Sequence, residues 1–238
     1  MIDFLHVTKV CKEGGGIREV DCSIDYGEIV VIEGPSGSGK TTFLRLLTGT
    51  QRPDSGRIVV SGTSLYDLSR REMLLYRRQL GYVSPELGLL SDRSLLENVA
   101  LPLYLKGTLS KKAIKHKALD ALSAVGLSGR AGHRGEGLSV GETMRACFAR
   151  ALANEPALLL LAEPLESLDR ESMEIILDAI LDEQKQGVTV LVTATNSEPY
   201  RLLVPRRMWL SAGRLIDDVR RDELPLVPRS GSWLGIRP

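Results

Sequence analysis

The sequence lacks any long apolar segment. Its uninterrupted apolar runs are short, such as residues 157–162, whereas a membrane-spanning helix needs about 20 apolar residues. Cysteine is also scarce: Cys11, Cys22 and Cys147 are odd in number and widely spaced. They match neither a zinc-binding spacing nor a disulfide framework, which favours a reducing compartment. The opening MIDFLHVTKV lacks the basic and then apolar build of a signal peptide, so we expect a cytoplasmic protein.

The sequence also lacks an excess of charge of either sign. Lysine and arginine total 31 and aspartate and glutamate total 30, which leaves a net charge of +1. No strong field therefore draws the whole molecule to nucleic acid or to anionic lipid, and we expect no nucleic-acid partner. The 43% hydrophobic and 26% charged fractions are ordinary for a folded chain, and 238 residues allow one large domain or two small ones.

Strand-like and helix-like segments alternate along the chain. The expected strands are residues 2–8, 17–26, 28–33, 57–60, 80–83, 157–161 and 188–193, with a hairpin over 208–215. The expected helices include residues 41–47, 70–79, 111–125 and a helix running from Asp169 toward residue 186. Strands that alternate with helices predict an α/β core with parallel strands.

The helical middle of the chain predicts a nested subdomain and not a separate domain. We expect one domain over residues 1–222, with a helical subdomain at about 86–155 inserted between strands. From Leu224 onward the chain carries prolines and glycines without periodicity, which predicts a C-terminal tail over 223–238. The lysines between positions 111 and 117 are interpreted as a solvated helix face.

A Gly/Ser-rich loop between a predicted strand and a predicted helix matches the pattern G-x-x-x-x-G-K-[ST]. It consists of Gly34, Pro35, Ser36, Gly37, Ser38, Gly39, Lys40 and Thr41. A phosphate needs backbone N–H groups that converge on it, and glycines permit the turn and the close approach. The following helix points its positive N-terminal end at the anion. The motif therefore predicts a site for the phosphates of a nucleotide.

Two side chains of this loop carry further chemistry. Lys40 supplies a cation for the outer phosphates, and the hydroxyl of Thr41 is a natural ligand of Mg²⁺. We therefore expect a nucleotide together with Mg²⁺. The motif alone leaves kinase, GTPase, helicase and transport ATPase open.

Three downstream segments resemble the ABC-type ATPases. LSVGE at 138–142, ARALANEPALLLLAEP at 149–164 and ESLD at 166–169 are similar in order and spacing to the signature, Walker B and D-loop of that family. The resemblance implies a P-loop α/β fold with an antiparallel β subdomain and a nested helical subdomain, and it implies ATP as the nucleotide. It also implies a head-to-tail dimer, in which the signature of one subunit closes over the phosphate held by Lys40 of the other.

Within that family, the segments at 77–83 and 89–103 are most similar to the FtsE group of cell-division ATP-binding proteins. The LolD-like and MacB-type groups are near relatives. The resemblance implies an FtsX-like or permease-like integral membrane partner, whose coupling helix docks on the helical subdomain after Pro85. It places the protein peripherally on the cytoplasmic face of the cell membrane. It leaves open whether the dimer is a homodimer or a heterodimer.

The signature residues can also be interpreted without any ligand. Ser139 and Glu142 are spaced as a capping box at the start of a helix. The resemblance implies instead that Ser139, Gly141 and Glu142 face the nucleotide of the partner subunit. Asp169 is placed as a helix N-cap, and the resemblance adds a role in communication between the two sites. Thr42 is carried over with the phosphate loop as a nucleotide-binding residue.

The Walker B position departs from the family pattern, which ends the buried strand with Asp-Glu. Here the pair is Ala162-Glu163. Glu163 remains at the position of the general base, where it polarises the attacking water. The carboxylate that helps to hold Mg²⁺ is missing, and Mg²⁺ demands near-ideal octahedral oxygen geometry, so we expect its binding to be looser.

Other positions around the nucleotide are altered as well. Thr195, or Asn196 after a one-residue slip, stands at the switch histidine, and neither titrates as an imidazole does. Pro85 stands at the Q-loop glutamine, with Glu86 as a partial substitute. Cys11 stands where an aromatic usually stacks on adenine, a contact that contributes about 1–3 kcal/mol in comparable nucleic-acid sites.

These departures leave two functions open. The first is an ATP-hydrolysing motor, and the second is an ATP-binding pseudoenzyme or scaffold with little or no hydrolysis of its own. Loss of one preorganised group typically lowers a rate by about 10²–10³, and such losses do not add. We therefore expect a homodimer to hydrolyse ATP far more slowly than an intact relative. Val140 replaces the first glycine of the usual signature pair, while Ser139 and Gly141 remain.

Overall fold

The computed structural model of the protein describes residues 1–11 and 15–219. Within these ranges, no helix combines the length and the apolar character that a membrane crossing requires. The strands are β1 Ile2–Val10, β2 Gly16–Ile24, β3 Ile29–Glu33, β4 Ser55–Val60, β5 Thr63–Ser64, β6 Leu80–Val83, β7 Leu158–Ala162, β8 Thr189–Ala194, β9 Arg206–Ser211 and β10 Arg214–Val219. The α-helices are α1 Lys40–Leu47, α2 Arg70–Arg77, α3 Leu95–Lys106, α4 Lys111–Ala124, α5 Val140–Leu152 and α6 Arg170–Lys185.

The central sheet has six strands in the order β10-β9-β3-β8-β7-β6. Strands β9, β3, β8, β7 and β6 run parallel to one another, and β10 pairs with β9 in the antiparallel sense. Because the carboxyl ends of parallel strands meet at one edge of a sheet, the loops that follow β3, β8 and β7 lie side by side. This edge therefore brings together the phosphate loop, Thr195 and Glu163.

Alternation along β7 divides the hydrophobic core into two layers. Leu158, Leu160 and Ala162 pack with α1 and the small sheet, while Leu159 and Leu161 pack with the helical layer of α3 to α6. Successive side chains of a strand point to opposite faces, and a strand buried on both faces is apolar throughout. The uninterrupted LLLLA sequence of β7 follows from this double burial.

The second sheet is antiparallel, with the strand order β2-β1-β4-β5. It covers one side of α1, where the rings of Phe4 and Phe43 stack with their centroids 4.2 Å apart. On the other side of the central sheet, helices α3, α4 and α5 pack against one another and form the helical subdomain. The predicted fold class, an α/β P-loop core with an antiparallel β subdomain and a nested helical subdomain, is confirmed.

Several local features differ from the sequence prediction. The hairpin is longer than residues 208–215 because β9 and β10 pair from Arg207 to Val219. Sequence patterns did not predict β5 or the short 3₁₀ turns at Leu65–Asp67, Ser128–Arg130 and Glu198–Leu203, because a two-residue strand and a 3₁₀ segment of one or two turns are too short to show their period. The predicted tail over 223–238 lies outside the described residues.

A buried arginine joins the two sheets. Arg206 begins β9, and its guanidinium donates to both carboxylate oxygens of Asp218 on β10, to Glu28, and to the backbone carbonyl of Ser23 in β2. Removing one member of a buried ion pair leaves the other charges desolvated and costs about 3–5 kcal/mol. We expect Arg206→Met to lower the melting temperature by about 10 °C in a thermal denaturation scan. Arg214→Met, at an exposed position, is the control, and an equal loss in both variants contradicts the prediction.

Candidate nucleotide site

The phosphate loop connects the carboxyl end of β3 to the first residue of α1. Glycine is required at two of its positions. A Cβ on Gly34 would lie 2.1 Å from the carbonyl oxygen of Leu210, and a Cβ on Gly39 would lie 2.3 Å from that of Gly16. Gly39 also has φ = 110°, in the left-handed region that side chains avoid. The backbone of this loop is therefore pressed against β9 and the start of β2, which fixes its curvature.

Lys40 lies inside the loop and is only 5% exposed. Its ammonium donates to the carbonyl oxygens of Gly34 and Pro35 at 2.6 and 3.1 Å, and it lies 3.3 Å from a carboxylate oxygen of Glu163. A buried ammonium with these partners is held in one place. The loop thus presents a fixed positive charge at its centre.

The groups around the loop suit a chain of phosphates. The hydroxyl of Ser38 is buried and has no hydrogen-bond partner among the described residues, so it is available to an anion. The first turn of α1 contains no acidic residue and has no side-chain cap, which leaves its N–H groups free of intrahelical partners. Thr41 is exposed at the start of the same helix, whereas Thr42 is buried.

The remaining loop residues, Pro35, Ser36 and Gly37, are exposed. Together with the buried hydroxyl of Ser38 and the ammonium of Lys40, they form a concave donor surface. An oxyanion is stabilised where backbone N–H groups, a helix N-terminus and a cation meet. The donor set present here fits a polyphosphate.

Glu163 follows β7 directly and has an unusual backbone conformation. Its φ is 50°, in the left-handed region, and its N–H donates to the carbonyl oxygen of Thr193 at 3.0 Å. Non-glycine residues in this region carry a conformational cost and occur often at functional sites. The turn directs the Glu163 carboxylate toward Lys40, so the predicted general base lies beside the phosphate loop.

The signature segment forms the start of α5. Ser139 is its N-cap: the Ser139 hydroxyl accepts from the N–H of Glu142 at 3.1 Å, and the Glu142 carboxylate accepts from the N–H of Ser139 at 3.0 Å. The predicted capping box is present. A second oxygen of Glu142 pairs with Arg130 at 3.1 Å, so this glutamate is held within its own subunit.

Gly141 lies where α5 meets the start of α6. A Cβ at this position would lie 2.2 Å from the hydroxyl oxygen of Ser172 and 2.7 Å from a carboxylate oxygen of Asp169. Asp169 caps α6 by accepting from the N–H and the hydroxyl of Ser172, and these hydrogen bonds hold the pKa of its carboxyl below the usual range. The glycine thus brings the signature and the D-loop segment into direct contact, which sequence spacing did not reveal.

Comparisons with known proteins agree with this geometry. A family model described as "ABC transporter" matches residues 17–166, a range that includes both the phosphate loop and the signature. The chain belongs to the ABC transporter family. The family resemblance inferred from the sequence is confirmed.

Among ABC relatives, the lipoprotein-releasing system ATP-binding protein LolD of Coxiella burnetii is 38% identical over 207 residues, covering 87% of this chain and 89% of LolD. The cell division ATP-binding protein FtsE of Mycobacterium tuberculosis is 36% identical over 223 residues, covering 93% and 96%. The methionine import ATP-binding protein MetN of Caulobacter vibrioides is 34% identical over 233 residues, covering 97% and 70%. The similarity to FtsE is therefore shared with LolD and MetN.

The fold matches solved ABC cassettes. The dimeric structure of MJ0796, a bacterial ABC transporter cassette, has a TM-score of 0.85 at 32% identity and covers 92% of this chain and 98% of that one. A second structure of MJ0796, a post-hydrolysis dimer bound to ADP and phosphate, has a TM-score of 0.84 at 31% identity.

Ala162 replaces the carboxylate of the ABC Walker B pattern with a methyl group. Ala162 is only 7% exposed, and its methyl group packs on the α1 side of the sheet, in the same cluster as Phe43 and Leu160. Strand β7 also contacts α1, the helix whose first turn contains Thr41. Within the described residues, no group of three or more acidic, histidine or cysteine side chains is placed to hold a metal ion. Thr41, the residue predicted from the sequence to bind Mg²⁺, lies exposed in the first turn of α1.

The two residues that could stand at the switch histidine, Thr195 and Asn196, both form hydrogen bonds with nearby glutamates. The hydroxyl of Thr195 donates to a carboxylate oxygen of Glu166 at 2.9 Å, and Asn196 accepts from the N–H of Glu198 two residues later. Glu166 also donates its N–H to the carbonyl oxygen of Glu163, so it belongs to the same turn as the predicted base. Sequence reasoning missed the Thr195–Glu166 pair. The only sequence feature that hinted at this pair was an acidic residue, Glu166, close to Glu163.

The residues at the expected Q-loop and adenine-stacking positions make other contacts. Pro85 is exposed in a turn. The predicted substitute, Glu86, instead accepts from the guanidinium of Arg45 on α1, with both oxygens at 2.7 Å. The thiol of Cys11 lies 3.5 Å from the hydroxyl of Thr42 in the first turn of α1.

Gly141→Ala tests the contact between the signature and α6. The added methyl must displace Ser172 and Asp169, and overpacking of this kind costs about 1–3 kcal/mol of unfolding free energy. We expect chemical denaturation to show this loss, and we expect Ser172→Gly in the same chain to restore part of it. Gly129→Ala is the matched control, since a Cβ there meets nothing within 4 Å. Equal losses in the two alanine variants contradict the prediction.

Proposed function

We propose that this chain is the ATP-binding subunit of an ABC-type membrane complex, in which ATP-dependent dimerisation drives or regulates an integral membrane partner. The observation that carries the proposal is the phosphate loop. A buried ammonium, an uncapped helix N-terminus and a buried hydroxyl without a partner among the described residues converge there. This donor set fits the triphosphate of a nucleotide. The family membership supports ATP as that nucleotide.

The roles of the residues follow from their positions. The loop 34–39 and the first turn of α1 bind the phosphates, with Lys40 as the counter-charge and Thr41 as a ligand for Mg²⁺, which supplies charge neutralisation when bound. Glu163 orients and deprotonates the attacking water. With a methyl group at Ala162 and a hydroxyl paired away at Thr195, fewer groups stabilise the transition state, so hydrolysis is slow.

A second candidate function is an ATP-operated scaffold without hydrolysis of its own. The observation that favours it is the Lys40–Glu163 ion pair, because Glu163 is the only carboxylate retained from the Walker B pair.

Steady-state phosphate release from purified protein with Mg²⁺ separates the two functions. For the motor we expect slow turnover in the wild type and none in Glu163→Gln. Background rates in both, with nucleotide binding intact, overturn the motor and leave the scaffold.

Dimerisation places the signature of one subunit against the phosphates of the other. Ser139 is exposed at the start of α5, which suits this role. Analytical ultracentrifugation with and without ATP tests it: we expect ATP to shift the wild type toward a dimer and Ser139→Ala to weaken that shift. Ser110→Ala, which removes the N-cap of α4, is the matched control, since both changes cost about 1 kcal/mol of capping. An equal effect of the two variants contradicts the role of Ser139.

A groove beside the Q-loop segment is proposed as the docking site of the membrane partner. It has a volume of about 400 Å³. Leucines line it, and four of them are exposed: Leu87, Leu90, Leu101 and Leu105. Exposed leucines around a concave groove are typical of sites that receive an amphipathic helix. We propose an FtsX-like or permease-like integral membrane protein as this partner, with the chain held peripherally on the cytoplasmic face of the membrane.

The groove is tested with a detergent-solubilised FtsX-like or permease-like protein from the same organism. We expect Leu101→Asp to abolish co-purification with that protein. Leu74→Asp is the control, because Leu74 is an exposed leucine on α2 outside the groove. Retained association of Leu101→Asp overturns the assignment of the groove.

A further inference from the structure

One surface next to the groove is both basic and apolar, although the net charge of the chain is close to zero. It lies at the tip where α3 ends and α4 begins. Tyr104 and Leu105, in the last turn of α3, are 52% and 67% exposed. Four exposed lysines follow them, with no acidic residue between positions 104 and 115: Lys106, Lys111, Lys112 and Lys115. We call these six residues the α3–α4 tip.

The lysines of the tip are not neutralised within the part of the chain that the structure describes. The ion pairs of α4 use its other basic residues: His116 pairs with Asp120, and Lys117 pairs with Glu155. Residues one turn apart on a helix share a face, so Lys111 and Lys115 repel each other. Such a stripe of like charge reduces helix stability.

The tip is also held in a fixed shape. Arg78 donates to the carbonyl oxygen of Leu105, Gly107 ends α3 in the left-handed conformation, and the hydroxyl of Ser110 caps α4. The tip is continuous with the docking groove, because Leu105 belongs to both. The side of the molecule that faces the membrane partner therefore also presents lysines, a tyrosine and a leucine.

We infer that the α3–α4 tip contacts the anionic lipid headgroups of the membrane. Tyrosine and leucine side chains partition into the bilayer interface, and each lysine near an anionic surface contributes about 1 kcal/mol, or about fivefold in partition coefficient. Nucleic acid offers negative charge but no apolar phase, so it would contact the lysines and leave Tyr104 and Leu105 without a role. This pairing of charge and apolar exposure favours lipid over nucleic acid. The inference deepens the proposed function and rests on it for the orientation of the groove.

Co-sedimentation of the purified chain with vesicles tests the contact without any partner. We expect the wild type to bind vesicles containing phosphatidylglycerol, to bind pure phosphatidylcholine vesicles at least tenfold (about 1.4 kcal/mol) more weakly, and to lose affinity as salt is raised. The variant Lys111→Glu/Lys112→Glu/Lys115→Glu is expected to bind about a hundredfold or more weakly. Tyr104→Ser is expected to weaken binding with the charge unchanged.

The matched control changes the net charge by the same amount at three exposed sites elsewhere: Arg57→Glu, Lys185→Glu and Arg214→Glu. We expect this variant to keep most of its affinity. Equal losses in the two triple variants, equal binding to both kinds of vesicle, or tighter binding to a DNA duplex than to the vesicles each overturn the inference. The proposed function is tested separately by measuring ATP-dependent dimerisation and partner co-purification of the lysine variant. If they persist while vesicle binding is absent in the wild type, only the lipid contact fails.

Discussion

Ala162→Asp is expected to raise steady-state ATP hydrolysis by about 10²-fold, the size of effect seen when one preorganised group is restored to a transition state. The physical reason is the position of residue 162. Residue 162 is the last residue of β7 and lies on the α1 side of the sheet, and the next residue, Glu163, lies 3.3 Å from Lys40 of the phosphate loop. A carboxylate there adds a hard oxygen ligand near the Mg²⁺ site, which Mg²⁺ prefers. The measurement is phosphate release at saturating ATP and Mg²⁺.

The control for this gain is Ala162→Asn, which has nearly the same shape without the charge. We expect it to leave the rate close to that of the wild type. Ala162→Asp combined with Glu163→Gln is expected to abolish the gain, since the added carboxylate assists the base and does not replace it. If Ala162→Asp binds ATP but hydrolyses no faster than the wild type, the missing carboxylate is not what limits the rate. Pro85 and the Thr195–Glu166 pair then become the next candidates.

Lys40→Ala is expected to remove ATP binding almost completely. The Lys40 ammonium is the buried cation at the centre of the phosphate loop, and each hydrogen bond to a charged group contributes about 1.5–3 kcal/mol. We therefore expect the Kd from isothermal titration calorimetry to rise by about tenfold or more for each hydrogen bond that Lys40 donates to a phosphate. The wild type should gain about 2.7 kcal/mol of stability at a hundredfold excess of ATP over Kd, whereas the variant should gain almost none.

Lys117→Ala is the matched control for Lys40→Ala. Lys117 is also a lysine paired with a glutamate, Glu155, but it lies on α4 away from the phosphate loop. We expect its calorimetric response to ATP to equal that of the wild type. An unchanged response in Lys40→Ala would mean that the loop does not bind the triphosphate, and the proposed function would fail with it.

Sequence patterns predicted the parts of the site that are local. The capping box of Ser139 and Glu142 and the N-cap at Asp169 lie at the predicted positions, because capping depends on residues three positions apart. The glycine-rich loop was predicted for the same reason, since the turn, the lysine and the helix start are consecutive in the chain.

The partners of the altered residues were not predictable in this way. Glu86 was expected to substitute for the Q-loop glutamine, but it accepts from Arg45, which is 41 positions earlier in the chain. The sequence identifies Thr195 only as a replaced histidine, and its hydrogen bond to Glu166 spans 29 positions. Long-range pairs of this kind depend on which loops meet at the edge of the sheet, and no spacing rule describes them.

By itself, the order of residues determined the α/β class, the phosphate-binding loop and the family, because each depends on a short run of side chains with one local geometry. Only the tertiary structure decided that the methyl group of Ala162 lies on the α1 side of the sheet. It also decided that Gly141 allows α5 to touch α6, and that Thr195 pairs with Glu166. These outcomes depend on strand order and helix packing, which join distant segments through burial of apolar surface.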